Sequence, residues 1–252
     1  MTKRFRMVAG PNGSGKSTLV AWLARDYAVN FYTMLNADDV FAEVRHTGAH
    51  SAPFPIDGAS LAAYAARTDY AEAEKARFGN GEITVDADCV RFNAPGAVNS
   101  YTVALVVNFL QDECINRGIS FSQETVFSHP SKVEALARAK ADGFRTYLYY
   151  VATDDSGINA SRVEERYAQG GHDVPPEKIE ARYVRSLGNL PKAMPFLSRA
   201  FFFDNSGSDM RYLACFSEES GLDVLVPDSE LPHWFSNTVM HTPLNTGGQD
   251  ET

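Results

Sequence analysis

The sequence predicts an α/β fold, a three-layer αβα core on a mostly parallel sheet with one inserted segment. Three observations predict it. Gly10-Pro11-Asn12-Gly13-Ser14-Gly15-Lys16-Ser17-Thr18 fills every fixed position of G-x-x-x-x-G-K-[ST], the pattern of the phosphate-binding P-loop of NTPases and kinases. Strand-like and helix-like runs alternate on either side of it, the rhythm of a parallel sheet covered by helices. That rhythm is interrupted once, over about residues 47–100.

The elements follow in order. Phe5, Met7, Val8 and Ala9 read as a first strand running into the glycine loop, and Leu19, Val20, Trp22 and Leu23 recur at helical spacing after it. Phe31 to Leu35 reads as a second strand, ending at Asn36-Ala37-Asp38-Asp39 before a short helix to about Arg45. From Thr47 the pattern breaks: His50 to Pro55 reads as loop, Ala59 to Phe78 as helix, and Glu82 to Phe92 as a hairpin or edge strands. A helix over about 101–117 ends at Gly118, and Ile119 to Glu124 is a strand closing on a carboxylate. Ser131-x-x-Glu134 reads as a capping box opening a helix that stops at Gly143. Arg145 to Ala152 is a strong β-former. A helix follows to Gln169, stopped by Gly170-Gly171, and Pro175-Pro176 starts another to about Asn189. Ala200 to Asp204 is a further strand, with Val224 to Val226 as a last edge. The expected organisation is one domain over 1–240 with the insertion inside it, then a polar, disordered tail over 241–252.

Composition narrows the class. Of 252 residues, 44% are apolar, enough for a packed core, yet no apolar run is long enough to span a bilayer and the N-terminal one is too short for a signal peptide. The expected setting is cytoplasmic. The net charge of −9 argues against a broad nucleic-acid face. Three scattered cysteines suit buried thiols in a reducing compartment, and six histidines show no metal-ligand spacing.

In the loop, glycines allow the backbone amides to turn inward around phosphate oxygens, and the following helix offers its positive end. Lys16 is expected to reach the β- and γ-phosphates of ATP, and the Ser17 hydroxyl to ligate Mg²⁺. No L-S-G-G-Q, N-K-x-D or strand ending in Asp-Glu is present, which leaves the small-kinase type. Asp38, at the end of the second strand, is the candidate general base for an acceptor hydroxyl; the plainer reading is that Asp38 or Asp39 caps the next helix. Glu124, with Thr125, Ser128 and His129 after it, makes a polar mouth that would hold substrate or a Mg²⁺-bound water; the plainer reading is a turn, and a lone histidine is usually structural. Arg162 and Arg166 share a helical face, and Lys178, Arg182 and Arg185 form a second stripe beyond the glycine hinge. These would stabilise charge on a transferring phosphoryl group, or else form a solvated face pairing with Glu164, Glu165 and Glu180.

Together these residues resemble the zeta-toxin family of kinases, in the branch described as predicted ATPases. The resemblance runs over about 5–46 and 101–207. It rests on Gly10–Thr18, Asn36-Ala37-Asp38-Asp39, Ser122 to Pro130, Arg162 to Arg166, Gly170 to Pro175, Arg182-Tyr183 with Arg185-Ser186-Leu187, and Asp204-Asn205-Ser206. It implies ATP-dependent phosphorylation of a small hydroxyl acceptor, UDP-N-acetylglucosamine in characterised members, with Asp38 as the catalytic aspartate, Arg166 as a phosphate-contacting arginine and Glu124 as the acidic residue of the substrate-side strand. It also implies an antitoxin protein as a partner to seek. Two positions depart. Asn108 stands where the family carries a sugar-binding glutamate, and His172 falls near its second lid arginine, leaving Arg182 to take that role. The alternatives left open are a nucleic-acid end kinase, and a non-catalytic ATP-dependent switch using 47–100 as its partner surface.

Overall fold

The computed structural model describes residues 2–168 and 175–242. Along the chain the elements are β1 (Arg4–Ala9), α1 (Lys16–Asp26), β2 (Thr33–Asn36), α2 (Ala37–Thr47), β3 (Ala49–Ser51), α3 (Gly58–Ala66), α4 (Glu72–Ala76), β4 (Ile83–Asp86), β5 (Cys89–Phe92), α5 (Ser100–Arg117), β6 (Phe121–Thr125), α6 (Ser131–Ala141), β7 (Arg145–Ala152), α7 (Ser156–Ala168), α8 (Pro176–Ala193), β8 (Arg199–Asp204), β9 (Arg211–Ser217), β10 (Gly221–Val224) and α9 (His233–Thr238). Among the described residues no helix is long and apolar enough to cross a membrane. The chain divides into two compact units, residues 1–32 with 122–252, and residues 33–121.

The first unit is the α/β P-loop fold the sequence predicts. Its strands lie in the order β10-β9-β8-β7-β1-β6. β1 runs parallel to β7, pairing Arg4 with Arg145 through Ala9 with Tyr150, and β7 runs parallel to β8. β9 and β10 add an antiparallel edge. The central strands read as apolar runs because helices cover them: Met7, Val8 and Ala9 in β1, and Leu148, Tyr150, Val151 and Ala152 in β7, are buried. Aromatic packing extends the core outward. Tyr149 stacks on Phe201 at 5.0 Å, Phe203 on Tyr212 at 5.1 Å, and Phe202 meets Phe235 edge-on at 5.5 Å.

The second unit is built on α5, which is buried on most faces. Asn99 caps it: its side chain accepts from the Tyr101 and Thr102 amides, and the Thr102 hydroxyl accepts from the Asn99 amide. Gly118, at φ 67°, ends it. A three-stranded antiparallel sheet, β3-β5-β4, stands beside short helices in this unit.

Several sequence readings need correction. Ser131-x-x-Glu134 forms no capping box; the Ser131 hydroxyl instead meets His129 Nδ1 at 2.9 Å, and the box forms at Asn99–Thr102. Residues 59–78 are two short helices, and His50 lies in a strand. The hairpin read over 82–92, by contrast, is present as β4–β5. α8 continues through Pro191 to Ala193, and the last edge strand is Gly221–Val224. Gly170 to Val174, with His172, and the tail from residue 243 lie outside the described residues.

Candidate phosphate site

Four strand ends meet at one edge of the first unit. β1 runs into the glycine loop, β6 into residues 126–130, β7 into residues 153–155 and β8 into residues 205–210. Backbone hydrogen bonds tie them: the Gly10 amide donates to the Thr125 carbonyl at 3.3 Å, and the Asn205 amide to the Ala152 carbonyl at 2.8 Å. This is the carboxyl edge where open α/β sheets bind ligands.

The glycines of the loop are there for backbone conformation and clearance. Gly13 at φ 74° and Gly15 at φ 97° occupy the left-handed region. A β-carbon on Gly13 would stand 2.6 Å from the Asn159 carbonyl oxygen, and one on Gly15 would stand 2.4 Å from Asn205 Nδ2. Gly15 precedes α1, so Lys16, Ser17 and the exposed Thr18 form its first turn, where backbone amides lack helical partners and attract anions.

The loop carbonyls are taken up from behind. Pro11 O accepts from the Ser14 amide at 3.3 Å and from Lys16 Nζ at 3.0 Å. Asn12 O accepts from Asn159 Nδ2 at 2.5 Å, and Ser14 O from Asn205 Nδ2 at 2.9 Å. Asn159 is fully buried in α7, and its Oδ1 accepts the Thr153 hydroxyl. The Ser14 hydroxyl is buried with no partner among the described residues.

Glu124 closes β6 facing α1. The Ser17 hydroxyl lies 3.1 and 3.2 Å from its two carboxylate oxygens. A hydroxyl beside a carboxylate is the hard-oxygen donor set that suits Mg²⁺. Thr125 turns its hydroxyl to the Phe127 amide at 3.2 Å, and buried Phe127 holds φ 63°. A bulky residue seldom adopts that conformation, and such strain gathers at functional loops. Ser128 is half-buried, and exposed His129 is engaged by Ser131.

The arginines separate. Arg162 is committed to structure, donating to the Asn205 carbonyl at 2.7 Å and the Gly207 carbonyl at 3.3 Å. Arg166 is exposed on the last turn of α7. Arg182, half-buried in α8, reaches the loop itself, with Nη1 3.5 Å from Asn12 Oδ1. Sequence spacing groups Arg162 with Arg166, but their surroundings differ.

Asp38 belongs to the second unit. Neither it nor Asp39 caps α2: Asn36 does, accepting from the Asp38 amide at 3.0 Å. Both aspartates are exposed in the first turn. Partial desolvation, then the neighbouring charge of Asp38, raises the Asp39 carboxyl above the ordinary range, and a hydrogen bond with Asn36 works the other way. Asn108 lies in α5 with its Nδ2 3.5 Å from the Tyr70 hydroxyl.

Tyr183 supports the site from α8, donating to the Thr153 carbonyl at 2.7 Å. Burial, then the carboxylates of Asp154, Asp155 and Asp204, push its phenol up to about 12. Tyr183→Phe is expected to cost roughly 1–3 kcal/mol by leaving that carbonyl unpaired. An unfolded tyrosine ionises near pH 10. The raised folded value makes this contribution complete below that pH, and it declines as pH rises towards about 12. Denaturant midpoints of wild type and variant at pH 8 and pH 11 should therefore converge at the higher pH; a constant gap would refute the assignment.

The comparisons with known proteins agree with this architecture. The AAA_33 family, described as AAA domain, matches residues 6–185. A Haemophilus influenzae protein described as uncharacterized is 30% identical over 69 residues, which span 27% of this chain and 49% of that protein. Among solved structures, the AvrRxo1-ORF1:-ORF2 complex with ATP has a TM-score of 0.52 at 12% identity, covering 88% of this chain and 60% of that one. The same complex with sulphate ions has a TM-score of 0.51 at 11% identity, covering 88% and 61%. At these identities the likeness speaks to the fold. The chain thus spans about half the length of the curated relative and under two thirds of each solved chain.

Proposed function

This chain belongs to the AAA_33 family of AAA domains, and from that premise we propose that it is an ATP-dependent small-molecule kinase. One observation carries the reading: a glycine cradle with its carbonyls held from behind opens beside Lys16 and beside the Ser17–Glu124 pair. The cradle suits a triphosphate, since Gly13 and Gly15 hold the left-handed backbone that turns loop amides inward and the buried Ser14 hydroxyl has donor capacity to spare. Ser17 and Glu124 would hold Mg²⁺, which supplies charge neutralisation at the phosphate oxygens when bound.

The chain's own groups do the rest. Lys16 brings a compact positive charge to the outer phosphates, and Arg182 a guanidinium from α8. Arg166 adds a second at the end of α7. Asp38 takes the proton of the acceptor hydroxyl as that oxygen bonds to the γ-phosphorus and the bond to the bridging oxygen breaks, releasing ADP. Thr125, Ser128, His129 and His172 are the proposed acceptor contacts, beside the cradle-facing Glu124. The acceptor we propose, from the zeta-toxin resemblance, is UDP-N-acetylglucosamine or a related sugar nucleotide. The same proposal takes residues 1–240 as one kinase domain with 47–100 inserted, acting in the cytoplasm. It includes a protein partner of antitoxin type; the similar AvrRxo1-ORF1 was solved together with AvrRxo1-ORF2.

The test is transfer of label from γ-labelled ATP to a metabolite extract and to UDP-sugars, read by mass spectrometry. Asp38→Ala should slow transfer about 10²–10⁴-fold, the usual contribution of a general base, with ATP affinity nearly unchanged. Full activity in that variant would remove Asp38 from the mechanism. ATP binding that changes affinity for a protein partner, with no labelled product, would favour the non-catalytic switch.

A further inference from the structure

We infer that Asn159 and Asn205 are positioning residues that aim the phosphate-loop amides. The inference rests on the ATP-binding reading above and deepens it. A trans peptide points its carbonyl and its N–H to opposite sides, and no cis peptide occurs among the described residues. Fixing the carbonyl of one residue therefore fixes the direction of the next residue's N–H.

Three loop carbonyls are fixed in this way. Pro11 O is held by Lys16 Nζ and the Ser14 amide, which turns the Asn12 N–H away from them. Asn12 O is held by Asn159 Nδ2, which turns the Gly13 N–H to the opposite side. Ser14 O is held by Asn205 Nδ2, which does the same for the Gly15 N–H. Carbonyl oxygens only accept, so each asparagine must present its amide nitrogen. Both glycines sit at positive φ, where the peptide planes beside them have unusual freedom to rotate. An unheld glycine peptide could turn its carbonyl to the phosphate, replacing attraction by repulsion.

Each amide is itself aimed. Asn159 accepts the Thr153 hydroxyl on Oδ1, so its nitrogen faces the loop. Asn205 is fixed through its backbone at both ends: its N–H donates to Ala152 O, and its carbonyl accepts from Arg162 Nη1. Asn159 and Arg162 lie three apart on α7, on one helical face. That helix thus holds the loop directly at Asn12 and, through the loop after β8, indirectly at Ser14.

The experiment is a calorimetric titration of Mg²⁺·ATP into the full chain and into Asn205→Ala, Asn205→Asp and Asn159→Ala, with melting temperature and steady-state transfer measured on each. Asn205→Ala is the decisive variant, because the backbone bonds of residue 205 survive the substitution. The expected result is an affinity for ATP lowered about tenfold, a matching rise in KM and a smaller change in kcat, with melting temperature held within a few degrees. Asn205→Asp keeps the shape and exchanges the donor for an acceptor, so it should bind more weakly than Asn205→Ala; a packing role would rank it nearest wild type. Folded Asn205→Ala that binds ATP within twofold of wild type would overturn the inference even if Asn159→Ala fails to fold. A wild-type chain that takes up no ATP would instead sink the kinase reading, and this inference with it.

Discussion

Lys16→Ala is expected to lower phosphoryl transfer about 10²–10³-fold, the scale on which removing one preorganised charge-stabilising donor acts. Lys16 stands in the first turn of α1, with Nζ 3.0 Å from the Pro11 carbonyl. The ammonium is thereby folded back onto the loop, from which the proposed kinase reading brings it to the outer phosphates. Lys16→Arg should not restore the rate, because a planar fork on a longer stem does not substitute for a compact point charge. Initial-rate measurement against a labelled acceptor checks both variants. A Lys16→Ala enzyme within threefold of wild type would show that the loop is not the reacting site.

Gly10→Ala is the second large effect. The added β-carbon would stand 1.9 Å from the Val151 carbonyl oxygen and 2.8 Å from Ser14 Oγ, at a backbone φ of 151°. Val151 is buried inside β7, between β1 and β8, so its carbonyl has no room to retreat. The loop must be displaced or the strand end opened. An expected destabilisation of about 3 kcal/mol corresponds to a melting temperature lower by roughly 6–12 °C in a chain of this size. Nucleotide affinity should be lost with it. Gly207→Ala is the control: a β-carbon there meets nothing within 4 Å, and the variant should melt with wild type.

These two predictions come from the part of the molecule most legible in the sequence. The conformational demand on Gly10, Gly13 and Gly15 is local, so their spacing announces the loop. β7 was readable because a buried parallel strand must be apolar on both faces, and Arg145–Ala152 is the strand observed. α5 was readable by length and by Gly118. What escaped depends on partners far along the chain. Arg211–Ser217 is a strand because it pairs with β8; its short apolar run, Tyr212 to Phe216, does not by itself separate strand from helix. Pro191 suggests an end to α8, yet so near the C-terminus it interrupts only the final turn. The Ser131 box failed because His129, two residues away, offers the hydroxyl a competing partner.

At the site the same division holds. Glu124 was visible as a carboxylate at a strand end, but its meeting with Ser17 spans 107 positions. Asn159 carries no motif of its own, and Asn205 stands in the Asp204-Asn205-Ser206 motif with no role legible from it. Buried asparagine such as Asn159 is uncommon, and only the fold shows which carbonyls the two serve. Arg162 looked equivalent to Arg166 by spacing, and tertiary contacts assign it to the loop after β8. Asp38 is singled out by its place after the second strand and by the resemblance; it is an exposed residue of the first turn of α2.

The measurement that bears most directly on the whole account is calorimetric titration of ATP into the purified, folded chain with Mg²⁺ present. One saturable site per chain is predicted, abolished or greatly weakened by Gly10→Ala and reduced by Asn205→Ala. Absence of any heat of binding, with wild-type protein shown to be folded by its melting transition, would contradict it.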